Sequence, residues 1–207
     1  MRSRNKAQRN YLRTHIAQAA AKLIVESGIQ DYAVAKRKAA AKLQMSDLGQ
    51  LPGNEEIEQE LIIYQRLFRG ERHAQRLHVL RHAALHAMHF LARFRPYLVG
   101  PILRGTADEY SKVNLHLFAE PSEEVGLFLL ERGIPHELSD RRLRVSTEAF
   151  KAYPAYTFMA KDVPVELVVF AHRERKHPPL CPIDGKQMRR ASAAAVEALL
   201  SRDPVNE

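Results

Sequence analysis

Features that define several common protein classes are scarce in this sequence of 207 residues. It contains one cysteine, Cys181, and no tryptophan. A single thiol cannot close an internal disulfide or build a cysteine zinc site, which excludes disulfide scaffolds and favours a reducing compartment. No apolar run reaches the roughly 18–20 residues that a membrane-spanning helix needs. The basic N-terminus lacks the apolar segment of a signal peptide, so we expect a cytoplasmic protein without a membrane partner.

Charge is plentiful but unevenly distributed along the chain. There are 32 Lys and Arg residues against 24 Asp and Glu, a formal net charge of +8. Residues 1–50 hold ten basic against three acidic residues, residues 97–140 hold three against eight, and residues 141–207 hold twelve against eight. Two basic ends therefore flank an acidic middle. This polarity indicates either a polyanionic partner or one part of the molecule packing on another, and the sequence leaves both open.

Helical periodicity dominates the first half of the chain. It predicts helices over residues 12–27, 31–43, 54–70 and 71–94, with Gly70 ending or weakening the third. In the third helix an apolar stripe is expected at Ile57, Leu61, Tyr64, Leu67 and Phe68. In the fourth, one apolar face is formed by Leu77, Leu80, Ala84, Met88 and Leu91.

Beyond Pro96 the periodicity changes to the alternation that is typical of strands. Strands are predicted over residues 97–103, 113–118, 153–159 and 163–170, with a short strand at 141–145 and helices over 122–132 and 191–200. We therefore predict an α+β protein. A helical N-terminal region spans residues 1–75, and a small mixed sheet with flanking helices and a C-terminal helix spans residues 76–207.

The segment that joins the first two predicted strands carries the most information about function. A glycine ends the first strand, and a glycine and a serine lie in the following turn, at Gly100, Gly105 and Ser111. This spacing resembles the signature of the nucleotidyltransferase superfamily of the DNA polymerase beta type, over about residues 80–172. The resemblance implies a nucleotide-binding site that includes these three residues and Arg104.

The resemblance is poor at the positions that bind metal in the family. Family members supply two acids from an Asp-x-Asp motif and a third from a later strand, and these carboxylates hold Mg²⁺ on the triphosphate. The matching positions here are Lys112, Asn114 and Glu166. Pro101 replaces the family serine and removes a phosphate-binding hydroxyl and N–H group. The resemblance therefore implies a degenerate member without a metal site, in which Lys112 pairs with Glu166.

These observations lead to one main hypothesis and two alternatives. The main hypothesis is a nucleotidyltransferase-fold protein that binds a nucleotide or a nucleic-acid phosphate backbone, with no cofactor and no assigned catalytic residue. The first alternative is an active transferase with displaced Mg²⁺ ligands, for which Asp108 and Glu109 are candidates. The second is a protein-interaction module whose basic N-terminal region docks on an acidic partner. A plain strand pair in an unrelated α+β domain would carry none of these functions.

A row of histidines also suggests a ligand site. His78, His82, His86 and His89 fall on one helix stripe, away from the apolar face of the same helix. Pairs spaced i, i+4 can chelate Zn²⁺ or Ni²⁺, but no further ligand joins this row. We expect a solvated or interface surface here, with a metal site or a pH-responsive contact as alternatives.

Overall fold

The structure, a computed structural model, describes residues 2–44 and 51–202, with side chains described from residue 10 onward in these ranges. The chain divides into two compact units, Met1–His73 and Ala74–Glu207. Helices form the first unit, and the second contains a five-stranded mixed sheet with flanking helices. The predicted α+β class is confirmed. Among the described residues, no helix is long and apolar enough to cross a membrane.

The first unit is built from α1 (Arg2–Ser27), α2 (Tyr32–Lys42) and the first part of α3 (Asn54–Phe90). Asp31 caps α2, because its carboxylate accepts hydrogen bonds from the N–H groups of Ala33 and Val34. Small side chains let the helices approach closely around a core of their own. This core includes Ile16, Ala17, Ala20, Ala21, Ile24, Val25, Ala35, Ala39, Ala40, Ile57 and Leu61.

The third helix does not end at Gly70, as one of the two alternatives predicted, because α3 continues through this residue without interruption. The other alternative, that Gly70 weakens the helix, stays a prediction. Gly70 is exposed, and no atom lies within 4 Å of the place where its Cβ would be. A lone glycine in a helix costs only about 1 kcal/mol, which the flanking turns offset. The predicted apolar stripe is also too long, since Leu67 and Phe68 are each 70% exposed.

The sheet of the second unit has the strand order β1-β2-β5-β4-β3. β2 runs parallel to β5, and all the other neighbouring pairs are antiparallel. The strands are β1 (Tyr97–Val99), β2 (Val113–Phe118), β3 (Glu137–Arg144), β4 (Phe150–Ala160) and β5 (Val163–Phe170). The helices after α3 are α4 (Pro101–Arg104), α5 (Glu123–Glu131) and α6 (Ala193–Leu200), and two 3₁₀ helices span Ala92–Phe94 and His172–Lys176.

Three strand predictions differ from the structure; for the one over residues 153–159, the observed β4 is longer at both ends, Phe150–Ala160. The strand predicted over residues 97–103 ends at Val99, because Gly100 turns the chain and Pro101 opens α4. Proline is favoured at the first position of a helix, where its missing N–H has no partner to lose. The short strand predicted at 141–145 is part of the longer β3.

The two faces of the sheet pack against different parts of the unit. Alternate residues of a strand point to opposite faces. One face packs against the end of α3, α5 and α6 in the main core of the unit. The predicted apolar face of the last part of α3 is confirmed, because all five of its residues are buried in that core. We call the opposite face of the sheet the second face.

Candidate functional site

The three positions that match the family's acids meet on the second face, at the end of the sheet where β2 and β5 begin. The register pairs Asn114 on β2 with Glu166 on β5. Because these strands are parallel, their N-terminal residues lie at the same end of the sheet. Lys112 precedes β2, and its Nζ donates a hydrogen bond to Glu166 Oε1 at 2.9 Å. The predicted pairing of Lys112 with Glu166 is confirmed.

A second cation contacts the same carboxylate. Arg141 on β3 places its Nε 3.7 Å from Glu166 Oε2, so each carboxylate oxygen faces a cation. The Glu166 side chain is only 11% exposed, whereas those of Lys112 and Arg141 are 44% and 56% exposed. Two half-exposed cations around one buried anion leave a net charge of +1 toward solvent. We call Lys112, Asn114, Arg141 and Glu166 the polar half of the second face.

The turn after β1 packs closely against this polar half. Gly100 has φ +79° and ψ −156°, a conformation that is essentially restricted to glycine. A Cβ at this position would lie 3.0 Å from Asn114 Nδ2. The Arg104 N–H donates to the Gly100 carbonyl at 3.1 Å, and Gly105 ends α4 with φ +85°. Gly100, Arg104 and Gly105 therefore belong to one helical turn that starts beside Asn114.

The loop before Lys112 is held by a buried pair of side chains. Ser111 Oγ donates to Asp108 Oδ1 at 2.7 Å and accepts from the Asp108 N–H at 2.9 Å. The Tyr110 N–H also donates to Asp108 Oδ1, at 3.0 Å. Ser111 is 3% and Asp108 7% exposed. The hydroxyl of Ser111 is therefore occupied in fixing this loop, and the structure does not direct it toward the polar half.

The other end of the second face is apolar and covered. We call it the aromatic half; its members are Tyr97, Phe118, Leu143, Tyr153, Ala155, Val168 and Phe170. The guanidinium of Arg190 lies 5.0 Å from the ring centroids of both Phe118 and Phe170, a cation–π arrangement. Burial of this side chain lowers the pKa of Arg190 to about 10, so it is still a cation at neutral pH.

Arg190 also binds a buried histidine. Its Nε donates to His116 Nδ1 at 3.0 Å. Burial, together with the nearby charge of Arg190, lowers the pKa of His116 well below the ordinary histidine value. The imidazole is therefore neutral and accepts this bond. Sequence reasoning missed the contact, because the residues lie 74 positions apart and neither stands in a recognisable motif.

The 3₁₀ helix His172–Lys176 is held by Glu174. Its carboxylate accepts hydrogen bonds from Lys151 Nζ at 2.7 Å, Tyr153 Oη at 3.0 Å and the Ala171 N–H at 3.2 Å. Burial alone would raise the pKa of Glu174, but these three bonds lower it overall. Burial and the bond to Glu174 raise the pKa of Tyr153 to about 12.

The histidine row lies mostly in solvent. His82, His86 and His89 are exposed, as predicted, whereas His78 is partly buried. His89 Nε2 lies 3.4 Å from Glu197 Oε1 on α6. Within residues 2–44 and 51–202, no group of three or more His, Cys, Asp or Glu side chains is arranged to hold a metal ion.

Comparison with models of known protein families, with curated proteins and with solved structures finds no match to this chain.

Proposed function

We propose that this protein has a nucleotidyltransferase-like fold with a degenerate reaction centre, and that it binds the phosphates of a nucleotide or nucleic acid through cations. One observation carries the proposal. Lys112 donates to Glu166 at 2.9 Å, at the place where the family resemblance implies a metal ion. The ammonium group stands in for the charge of the missing Mg²⁺.

The convergence of three positions supports the family resemblance. Lys112 and Asn114 lie 52 or more residues from Glu166 in the sequence, yet they meet on neighbouring parallel strands. The glycine turn at Gly100 packs on Asn114, which agrees with a strand-ending glycine beside a reaction centre.

The charge of the polar half favours an anion over a divalent cation. Mg²⁺ requires several oxygen ligands in octahedral geometry. Asn114 offers one neutral carbonyl oxygen, and both oxygens of Glu166 face cations. Lys112 and Arg141 are half exposed, so each can donate to a phosphate oxygen while it stays near Glu166. Lysine acts there as a point charge and arginine as a planar fork.

No specific observation favours the active transferase with displaced ligands. Asp108, one of its two candidate ligands, is buried and bonded to Ser111 and to the Tyr110 N–H. A metal ion would have to break these bonds before it reached the carboxylate. We therefore keep the cation-mediated site as the proposed function.

The proposal is tested by titration calorimetry with ATP as the probe. Lys112→Met should weaken ATP binding at least about tenfold, because it removes one charge-assisted phosphate contact. Lys112→Arg should retain most of the affinity. The matched control is Lys186→Met, which removes an exposed lysine in a different turn. Equal ATP affinity in wild type and Lys112→Met, or no ATP binding by the wild type at millimolar concentration, would contradict the proposal.

A further inference from the structure

We infer that the ligand of the second face is a nucleic-acid strand, whose phosphates contact both the polar half and a basic turn formed by residues 172–177. This inference rests on the proposed function and specifies its ligand. It depends on three observations: the charge of the turn, the bonds that hold it, and its position on the same face as the polar half.

The basic turn presents positive charge without compensation. Its sequence is His-Arg-Glu-Arg-Lys-His, and all of its side chains except Glu174 are exposed. Glu174 turns inward to Lys151, Tyr153 and the Ala171 N–H. In the described part of the chain, the side chains of Arg173, Arg175 and Lys176 have no acidic partner. Three permanent cations therefore face solvent within four residues.

The turn is held in place by Arg190. The Nη1 group of Arg190 donates to the Arg175 carbonyl at 2.8 Å, while its Nε binds His116 on β2. Its third nitrogen, Nη2, is buried with no hydrogen-bond partner among the described residues. The guanidinium is a cation at neutral pH and adds its charge beneath the turn. A backbone segment that is already held in place loses less conformational entropy on binding than a mobile one.

The turn and the polar half lie on the same face of the sheet, because Arg190 and Glu174 link the turn to His116 and Tyr153 of the second face. Asn114 of the polar half and His116 beneath Arg190 are two residues apart on β2, which is about 7 Å along a strand. Cations therefore lie at both ends of a short path across the second face. A mononucleotide at Lys112 would leave the turn without a ligand, whereas a strand of several phosphates can contact both ends.

The chemistry of the turn distinguishes among polyanions. Residues 172–177 include no apolar side chain that could insert into a lipid surface. The aromatic rings of Phe118 and Phe170 are buried under Arg190 and cannot stack on bases. The cations of the turn therefore contact phosphates, which predicts strong salt dependence and little base preference.

The experiment measures fluorescence anisotropy with a labelled oligouridylate of about 12 nucleotides, within the range of known single-strand sites. The triple variant Arg173→Gln, Arg175→Gln, Lys176→Gln should weaken binding at least tenfold. It should also reduce the slope of log K against log salt concentration by about 2, because each single-strand phosphate contact contributes about 0.7. An oligothymidylate of equal length should bind the wild type within about threefold, since the backbone dominates.

The matched control removes the same number of charges from exposed or partly exposed basic residues of α2. The variant Arg37→Gln, Lys38→Gln, Lys42→Gln should leave the affinity for the oligonucleotide within about twofold. An equal loss in both triple variants, or no loss in the turn variant, would overturn the inference. Displacement of the oligonucleotide by polyglutamate at equal charge concentration would also overturn it, because an acidic protein would then fit as well. The single variants Arg173→Gln and Lys176→Gln repeat the test with smaller changes to the surface.

Two further outcomes separate the inference from the proposed function. ATP binding that depends on Lys112, without oligonucleotide binding, would contradict only the inference. Oligonucleotide binding that depends on the basic turn but not on Lys112 would contradict the proposed function, and with it the continuous path across the second face. We expect the turn variant to bind ATP as the wild type does.

Discussion

The polar and aromatic halves of the second face both include residues of β2 and β5, yet they differ in exposure and charge. At the N-terminal ends of β2 and β5, Asn114 and Glu166 lie beside half-exposed cations. At the C-terminal ends, Phe118 and Phe170 are each 1% exposed and lie under Arg190. Because β2 and β5 are parallel, their N-terminal residues lie side by side in the polar half, and their C-terminal residues lie side by side in the aromatic half. The aromatic half is therefore part of the packed interior of the unit, whereas the cations of the polar half are half exposed.

The strongest test of this contrast removes a ring from the aromatic half. Phe170→Ala should lower the free energy of unfolding by about 3–5 kcal/mol, because it leaves a cavity and exposes Arg190. The control is Phe150→Ala on β4, where the ring is 54% exposed and contacts Arg142. That variant should lower the free energy of unfolding by at most about 1 kcal/mol. Urea unfolding measures both, and equal losses would break the distinction between a covered and an exposed aromatic residue.

Gly100→Ala tests the close packing of the turn on the polar half. We expect a loss of about 1–3 kcal/mol, because alanine does not tolerate this backbone conformation. The new Cβ would also lie 3.0 Å from Asn114 Nδ2. Gly70→Ala is the matched control within α3 and should stabilise the protein by about 0.5–1 kcal/mol. A neutral or stabilising Gly100→Ala variant in thermal unfolding would show that this turn is not constrained.

A double-mutant cycle measures the ion pair of the polar half. Glu166→Gln alone leaves Lys112 and Arg141 without their anion, and Lys112→Met alone leaves Glu166 with only the more distant cation. The free energy of unfolding should therefore fall by less in the double variant than the sum of the decreases in the two single variants. The difference, which is the coupling energy, should be about 0.5–3 kcal/mol. Additive losses within about 0.5 kcal/mol would mean that the two side chains do not interact in solution.

The smallest expected effect is a pH dependence from His116, whose ring lies 4.6 Å from that of Phe170 in the aromatic half. The pKa of His116 is lower in the folded state than in the unfolded chain. As the pH falls below about 6.5, this imidazole therefore takes up a proton in the unfolded chain but not in the folded state. Stability should therefore decrease as the pH falls through this range. His116→Gln should flatten the dependence in urea unfolding, whereas His177→Gln, at an exposed site, should not. An unchanged profile in His116→Gln would place the titrating group elsewhere.

Much of the fold could be predicted from local patterns. Strands β2 and β5 were predicted with their observed bounds, because β2 alternates apolar and polar residues and β5 is a nearly continuous apolar run. The third helix does not end at Gly70, since an isolated glycine weakens a helix by less than its neighbours stabilise it. The strand predicted over residues 97–103 was too long, because a glycine followed by a proline can end a strand and begin a helix at adjacent residues.

The candidate site was only partly predictable. The meeting of Lys112 with Glu166 followed from the family resemblance, which aligned positions far apart in sequence. Arg141 appeared only as one of several arginines, and nothing local linked it to β5. Arg190 was missed as well, because its contacts with His116 and the two phenylalanines exist only after the sheet has formed.

The most direct test of the central claim compares ATP binding with and without a divalent cation. Wild-type protein is titrated with ATP in EDTA and again with excess Mg²⁺. We predict that ATP binds in EDTA at least as tightly as with Mg²⁺, because Lys112 and Arg141 already supply the positive charge and free ATP is the stronger anion. Binding that appears only with Mg²⁺ and disappears in Glu166→Gln would contradict the account, because Glu166 would then be a metal ligand.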